Sequence, residues 1–209
     1  LVDDLTILCA RCEHELPALA GFRCHQCQEP LAEEGLDLCR ACGTSDRGFD
    51  LMRALGPYAG GWGTLVRALK FEREKAVAEF IAKRMAACLV SQRPFGRIDV
   101  VSYVPMSRSA VRARGFNQAR LLAAGVATKL DLPLEKLLVK SRRTLPQAGL
   151  SARRRRENLR GAFQLIRSGE GNVLLIDDIF TTGSTAEACA HTLKSGGYEK
   201  IFVLTAARA

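Results

Sequence analysis

The chain has 209 residues, enough for one medium-sized α/β domain and a small accessory module. No run of about 18 apolar residues occurs, so no membrane insertion is expected. The opening Leu-Val-Asp-Asp lacks the basic start of a signal peptide. The formal net charge is +9, yet residues 1–47 carry −5 and residues 105–168 carry +12. A basic block of that size favours phosphate-rich partners: a pyrophosphate, a nucleotide or a nucleic acid backbone. The reading is of a cytoplasmic protein, and the missing initiator Met leads us to expect natural residues upstream of Leu1.

Six of the eight cysteines form three C-x-x-C pairs, Cys9/Cys12, Cys24/Cys27 and Cys39/Cys42. Two thiolates at this spacing reach one tetrahedral zinc from a tight knuckle, and two knuckles complete a four-sulfur site. Cytosolic proteins rarely use such cysteines for disulfides, so structural zinc is the expectation. Three pairs are too many for one ion and too few for two. Cys24, Cys27, Cys39 and Cys42 are the first choice; joining Cys9 and Cys12 to Cys24 and Cys27 is the alternative. Cys88 and Cys189 are expected to be small core residues. His14, His25 and His191 show no metal spacing and are expected at the surface. The cysteine pattern stops near Thr44–Gly48, which suggests a Cys-rich module over 1–47 and a main domain over 48–209.

In the main domain, Phe49–Tyr58 suits an edge strand or an irregular lead-in, and Gly60-Gly-Trp-Gly63 suits a turn. Helices are expected over Thr64–Leu69, Val77–Val90 and Ala119–Leu130, with Trp62 as a packing residue. Strands are expected over Ile98–Val104, Leu137–Lys140, Gly161–Ile166 and Ile201–Ala206. Strands alternating with helices imply a mostly parallel sheet flanked by helices.

The most informative run is Val173-Leu-Leu-Ile-Asp-Asp-Ile-Phe-Thr-Thr-Gly-Ser-Thr185. Val173–Ile176 suits a buried parallel strand, and Asp177 and Asp178 are expected to leave its carboxyl end, where open α/β folds bind ligands. Thr181, Thr182, Gly183, Ser184 and Thr185 form a hydroxyl-rich loop ahead of a helix from Ala186. Backbone N–H groups at a helix start make an anion cradle. Two acids beside such a cradle suit a sugar phosphate. No G-x-x-x-x-G-K-[ST] loop is present to hold a triphosphate. A second loop, Pro105-Met-Ser-Arg108 and then Arg112-Ala-Arg-Gly-Phe-Asn-Gln118, follows the strand at 98–104 and faces the same end of the sheet. The polar, arginine-rich stretch 144–158 reads as a cover for that end.

Residues 173–185 resemble the signature of type I phosphoribosyltransferases, which bind 5-phosphoribosyl 1-pyrophosphate (PRPP). The resemblance implies that Asp177 and Asp178 contact the ribose hydroxyls with Mg²⁺ nearby. It implies that Thr181–Thr185 hold the 5′-phosphate, that Pro105, Met106, Ser107 and Arg108 hold pyrophosphate, and that Arg114, Gln147, Arg155 and Asn158 belong to a flexible basic cover. Together with the cysteine knuckles, "ALKFE", "VPMSRSAVRARGFNQARLLA" and "RTLPQAGLSARRRRENLRGAF" occur in the order typical of the ComF (competence protein F, GntX-like) family, which the chain resembles over almost its whole length. Gln28 stands where that family often has Gly. The resemblance implies a role in DNA uptake during natural transformation, with single-stranded DNA and a competence helicase as partners. Two readings follow: an enzyme acting on PRPP, or a non-catalytic module that handles single-stranded DNA or docks a helicase while keeping the PRPP-site fold.

Overall fold

A computed structural model describes residues 7–71, 75–141, 158–159 and 161–209, with the backbone alone at residues 70 and 71. Its centre is a parallel sheet of four strands: β1 (Leu51–Pro57), β2 (Val100–Tyr103), β5 (Val173–Phe180) and β6 (Ile201–Arg208), in the order β1-β6-β5-β2. Every residue of β2 and β6 is buried, as expected for strands covered on both faces. In β1, which stands at an edge of the sheet, buried and half-buried residues alternate, so one of its faces is less covered than the other. The helices α3 (Gly60–Phe71), α4 (Lys75–Gln92) and α6 (Gln118–Leu130) pack on this sheet. Helix α7 (Ser184–Ser195) joins β5 to β6 and packs on β6. The remaining strands, β3 (Leu138–Lys140) and β4 (Phe163–Leu165), form a separate antiparallel pair against α7.

The Cys-rich head carries two one-turn helices, α1 (Ala10–His14) and α2 (Arg40–Thr44). Its second knuckle lies along β1. The Met52 amide donates to the Gln26 carbonyl at 2.7 Å, and the Ala54 amide donates to Gln28 Oε1 at 2.7 Å. Those bonds cover the edge of β1 that β6 leaves bare, so the sheet ends in a sealed side.

Four expectations need correction. The glycines at 60–63 are not a turn but the first turn of α3. Their lack of side chains serves close approach: a Cβ on Gly61 would meet Leu16 Cδ2 at 2.6 Å, and one on Gly63 would meet the Tyr58 carbonyl at 2.7 Å. Buried Trp62 anchors that turn by donating from Nε1 to the Pro17 carbonyl at 3.0 Å. Strand β5 does not end at Ile176; its pairing with β6 continues through Asp177↔Thr205 to Phe180↔Arg208. Helix α7 accordingly begins at Ser184 rather than Ala186. Part of the stretch 105–118 is a helix, α5 (Arg108–Arg114), capped by Ser107 Oγ accepting from the Ala110 amide at 3.2 Å. Cys88 is half-buried rather than core, because it lies at the margin of the α4 stripe formed by Ile81, Ala82, Met85, Ala86 and Leu89. Cys189 is fully buried, and His14, His25 and His191 are exposed.

Candidate functional site

Parallel strands direct the loops that follow them to the same end of the sheet, and the loops after β5 and β2 both leave from that end. Asp177 lines a small cavity with Thr181, Gly183 and Thr185. Asp178 is the next residue of the strand and is half-buried. Strand alternation sends the two carboxylates to opposite faces, so a ligand engaging both must lie across the strand's end.

The loop has a defined shape. Gly183, the cap of α7, takes φ 78°, the left-handed region that suits glycine. The hydroxyls of Thr182 and Ser184 lie 2.9 Å apart, and the Glu187 amide donates to the Gly183 carbonyl at 2.8 Å. The amides of the helix start therefore face the hydroxyl-rich bend, an arrangement that favours an anion.

The second loop leaves β2, which pairs with β5 through Tyr103↔Ile176. Pro105, Met106, Ser107 and Arg108 line an open cavity of about 1000 Å³, shared with Arg112, Lys136 and Lys140. The sequence reading placed Arg112 in this loop but missed Lys136 and Lys140. Lys140 belongs to the antiparallel pair, and only its tertiary position brings it there. Burial lowers the Lys140 pKa, while the nearby Cys189 and Asp177 act in the opposite sense. Its ammonium lies 5.8 Å from the centre of the Phe163 ring. Lys140 thus lines the cation-rich cavity while Asp177 is near enough to favour its charged form.

Arg114 is half-buried and donates to Gln118 Oε1 at 3.1 Å. Gln118 is itself buried, and its Nε2 has no partner among the described residues. Asn117, the cap residue of α6, donates from Nδ2 to the Val104 carbonyl at 3.0 Å and so fixes the exit of β2. Asn158 is half-buried. Gln147, Arg155 and the rest of the expected cover over 144–157 lie outside the described residues.

In the head, Cys24, Cys27, Cys39 and Cys42 come together. All four are buried, and their sulfurs lie within 4.8 Å of one another, with Cys27 and Cys39 3.7 Å apart. Zn–S bonds of about 2.3 Å in a tetrahedron require sulfur separations of this order. Burial raises the Cys27 and Cys42 pKa values. At Cys24 burial acts the same way, but backbone N–H groups of Cys39, Cys27 and Gln26 outweigh it and lower the pKa. Four clustered sulfurs in so little water fit a divalent cation, which would turn all of them into thiolates. The site could hold zinc. Cys9 and Cys12 lie apart from this group, exposed on α1, where Cys9 Sγ accepts from the Cys12 amide at 3.4 Å. Gln28 takes φ 57°, the conformation that glycine would adopt without strain, and its side chain is used to cover β1.

Arg47 also escaped the sequence reading. It is buried between head and loop, with Nε donating to Glu187 Oε2 at 2.9 Å and Nη2 donating to the Thr182 carbonyl at 2.8 Å. Its partners are 140 and 135 residues away, so no local pattern announces them.

No family model matches the chain. Among curated proteins it is 29% identical to competence protein F of Haemophilus influenzae, over 97% of this chain and 90% of that one. It is 31% identical to DNA utilization protein YhgH of Salmonella typhimurium, over 91% of this chain and 84% of that one. It is 26% identical to competence protein ComFC of Bacillus subtilis, over 91% and 79%. Solved structures with partial likeness include UMP synthase of Leishmania donovani, with TM-score 0.39 and 18% identity over 67% of this chain and 24% of that one. A hypoxanthine phosphoribosyltransferase from Staphylococcus aureus gives TM-score 0.37 and 20% identity over 62% of each chain. With near one-third identity sustained along almost the full length of both sequences, the chain belongs to the ComF family, that of competence protein F and the YhgH proteins.

Proposed function

We propose that the protein binds a phosphoribosyl ligand, PRPP with Mg²⁺ or ribose 5-phosphate, at the carboxyl end of β5. In this reading residues 48–209 are a phosphoribosyltransferase-type domain and residues 1–47 are a zinc-binding module set against it. The observation that carries the reading is the juxtaposition at one end of the sheet. A carboxylate, a hydroxyl-rich bend and a helix start surround one cavity, and the loop that leaves the neighbouring parallel strand β2 lines a second, cation-rich cavity. The 5′-phosphate goes to the amides and hydroxyls of 181–185, the ribose lies across Asp177 and Asp178, and the pyrophosphate goes to the 105–108 loop. Carboxylate oxygens are hard donors and suit Mg²⁺, which would supply charge neutralisation on the pyrophosphate. Arg108, Arg112 and Lys140 offset the negative charge that builds on a departing pyrophosphate. They do so best in a site closed to water.

Its relatives are named for competence and DNA utilization, which supports placing this ligand site in a protein of DNA uptake. A second reading draws on the charge of +12 over residues 105–168. The protein would then grip the backbone of single-stranded DNA, with a helicase as neighbour, and the phosphate site would be a vestige or a sensor. Calorimetry with PRPP and Mg²⁺, followed by pyrophosphate release across bases, nucleotides and single-stranded DNA, tests the first reading. Asp177→Asn together with Asp178→Asn should abolish sugar-phosphate binding and leave DNA binding intact. If the wild-type protein takes up neither PRPP nor ribose 5-phosphate at millimolar-range concentrations, the first reading fails. Replacing Arg153–Arg156 with Ala tests the second, by weakening DNA binding and flattening its salt dependence.

A further inference from the structure

The guanidinium of Arg47 touches three separate parts of the protein at once. Nη2 donates to the Thr182 carbonyl at 2.8 Å, in the middle of the phosphate loop. Nε donates to Glu187 Oε2 at 2.9 Å, one turn into α7. Nη1 lies 3.9 Å from Cys42 Sγ, one of the four clustered sulfurs. The side chain is only 3% exposed, and the guanidinium carbon lies 5.3 Å from the centre of the Phe49 ring. A planar fork of this kind cannot release one partner without shifting the others.

The contact with Thr182 has a geometric result. In a trans peptide the C=O and the following N–H point in opposite directions. With the Thr182 carbonyl turned toward the head by Arg47, the Gly183 amide turns away from the head, toward the bend. The tightness of the fit is visible at Gly183, where a Cβ would meet Arg47 Nη2 at 2.4 Å. On the other side, four thiolates on a divalent cation keep a net negative charge, which a neighbouring guanidinium offsets.

We propose that Arg47 is a positioning residue that couples the four-cysteine centre to the phosphate loop, so that metal in the head and sugar phosphate in the loop strengthen each other's binding. This rests on the phosphate-loop reading above. Coupling between two sites is reciprocal, so it can be measured from either end.

The test uses the full chain and ribose 5-phosphate as probe. In the wild type, saturating ribose 5-phosphate slows zinc loss to a chelator. Arg47→Met retains zinc before challenge, binds ribose 5-phosphate about tenfold more weakly, and loses the protective effect. Glu187→Gln, which keeps an acceptor but not the charge, lies between. Arg208→Met is the comparison: Arg208 holds the Cys27 carbonyl at 3.1 Å, and its loss should not remove the protective effect. Should Arg47→Met fail to fold, hydrogen exchange at 181–185 decides between zinc-loaded and zinc-depleted wild type: faster exchange without zinc is expected, and unchanged exchange overturns the coupling. Binding of ribose 5-phosphate by Arg47→Met within twofold of wild type also overturns it. No binding by the wild type sinks the phosphate-loop reading instead, and the exchange measurement still judges the tie between centre and loop.

Discussion

Gly183→Ala is the most demanding perturbation of the site. The residue holds φ 78°, and a Cβ there would meet Arg47 Nη2 and Phe180 Cζ, each at 2.4 Å. The left-handed conformation alone costs an alanine about 1 kcal/mol. The contacts add more, because real Cβ atoms do not approach within 3.0 Å. Phe180 is 3% exposed and packs edge-on against Phe49 at 5.8 Å, so it has little room to retreat. If Arg47 gives way, a buried charge-assisted hydrogen bond is lost, worth about 1.5–3 kcal/mol. The sum is roughly 2.5–4 kcal/mol, which for a chain of this length lowers the unfolding midpoint by about 5–16 °C. Thermal and urea unfolding, followed by far-ultraviolet circular dichroism, measure the loss; calorimetry with ribose 5-phosphate measures the site. A variant with stability within about 0.5 kcal/mol of wild type and unchanged affinity would refute the account of this loop.

Other substitutions probe the remaining contacts. Cys39→Ser should reduce bound zinc from about one equivalent to about none, whereas Cys9→Ser should leave it unchanged, as read by metal analysis of the purified protein. Lys140→Met should weaken inorganic pyrophosphate binding about tenfold or more in calorimetry while leaving the free protein as stable or more so, because a desolvated charge is removed. Burial lowers the Lys140 pKa below its ordinary 10.5, so between the lowered folded value and 10.5 the unfolded chain binds more protons. The contribution of Lys140 to stability should therefore rise with pH through that window and vanish from the profile of the Met variant. Gln28→Ala keeps the strained φ of 57° and deprives the Ala54 amide of its acceptor, whereas Gln28→Gly relieves the strain. Unfolding curves should place the Gly variant about 1 kcal/mol above the Ala variant.

What the sequence disclosed was whatever repeats locally. The apolar run 173–176, the C-x-x-C spacing and the apolar face of α6 each depend on neighbours within a few residues, and the expected elements correspond closely to the structure there. The continuation of β5 through two aspartates was not legible, because its cause is the register with β6. Gly60–Gly63 looked like a turn because glycine has two uses, conformational freedom and close approach, and only the positions of Leu16 and Tyr58 select the second. Arg47 and Lys140 were hidden for the same reason. Their importance comes from partners far along the chain, and an isolated arginine or lysine in a basic protein carries no mark of where it will be buried.

The placement of β1 bears on how the molecule is made. One flank of this strand is satisfied by the knuckle just before it, which leaves the ribosome first. The opposite flank waits for β6, and the Asp50–Ile201 contact at their junction spans 151 residues of chain. A nascent chain therefore carries one shielded and one raw sticky border for most of its synthesis. Folding of the knuckle before the rest of the chain would halve that exposure, and a divalent cation held by the four clustered cysteines would favour that early folding.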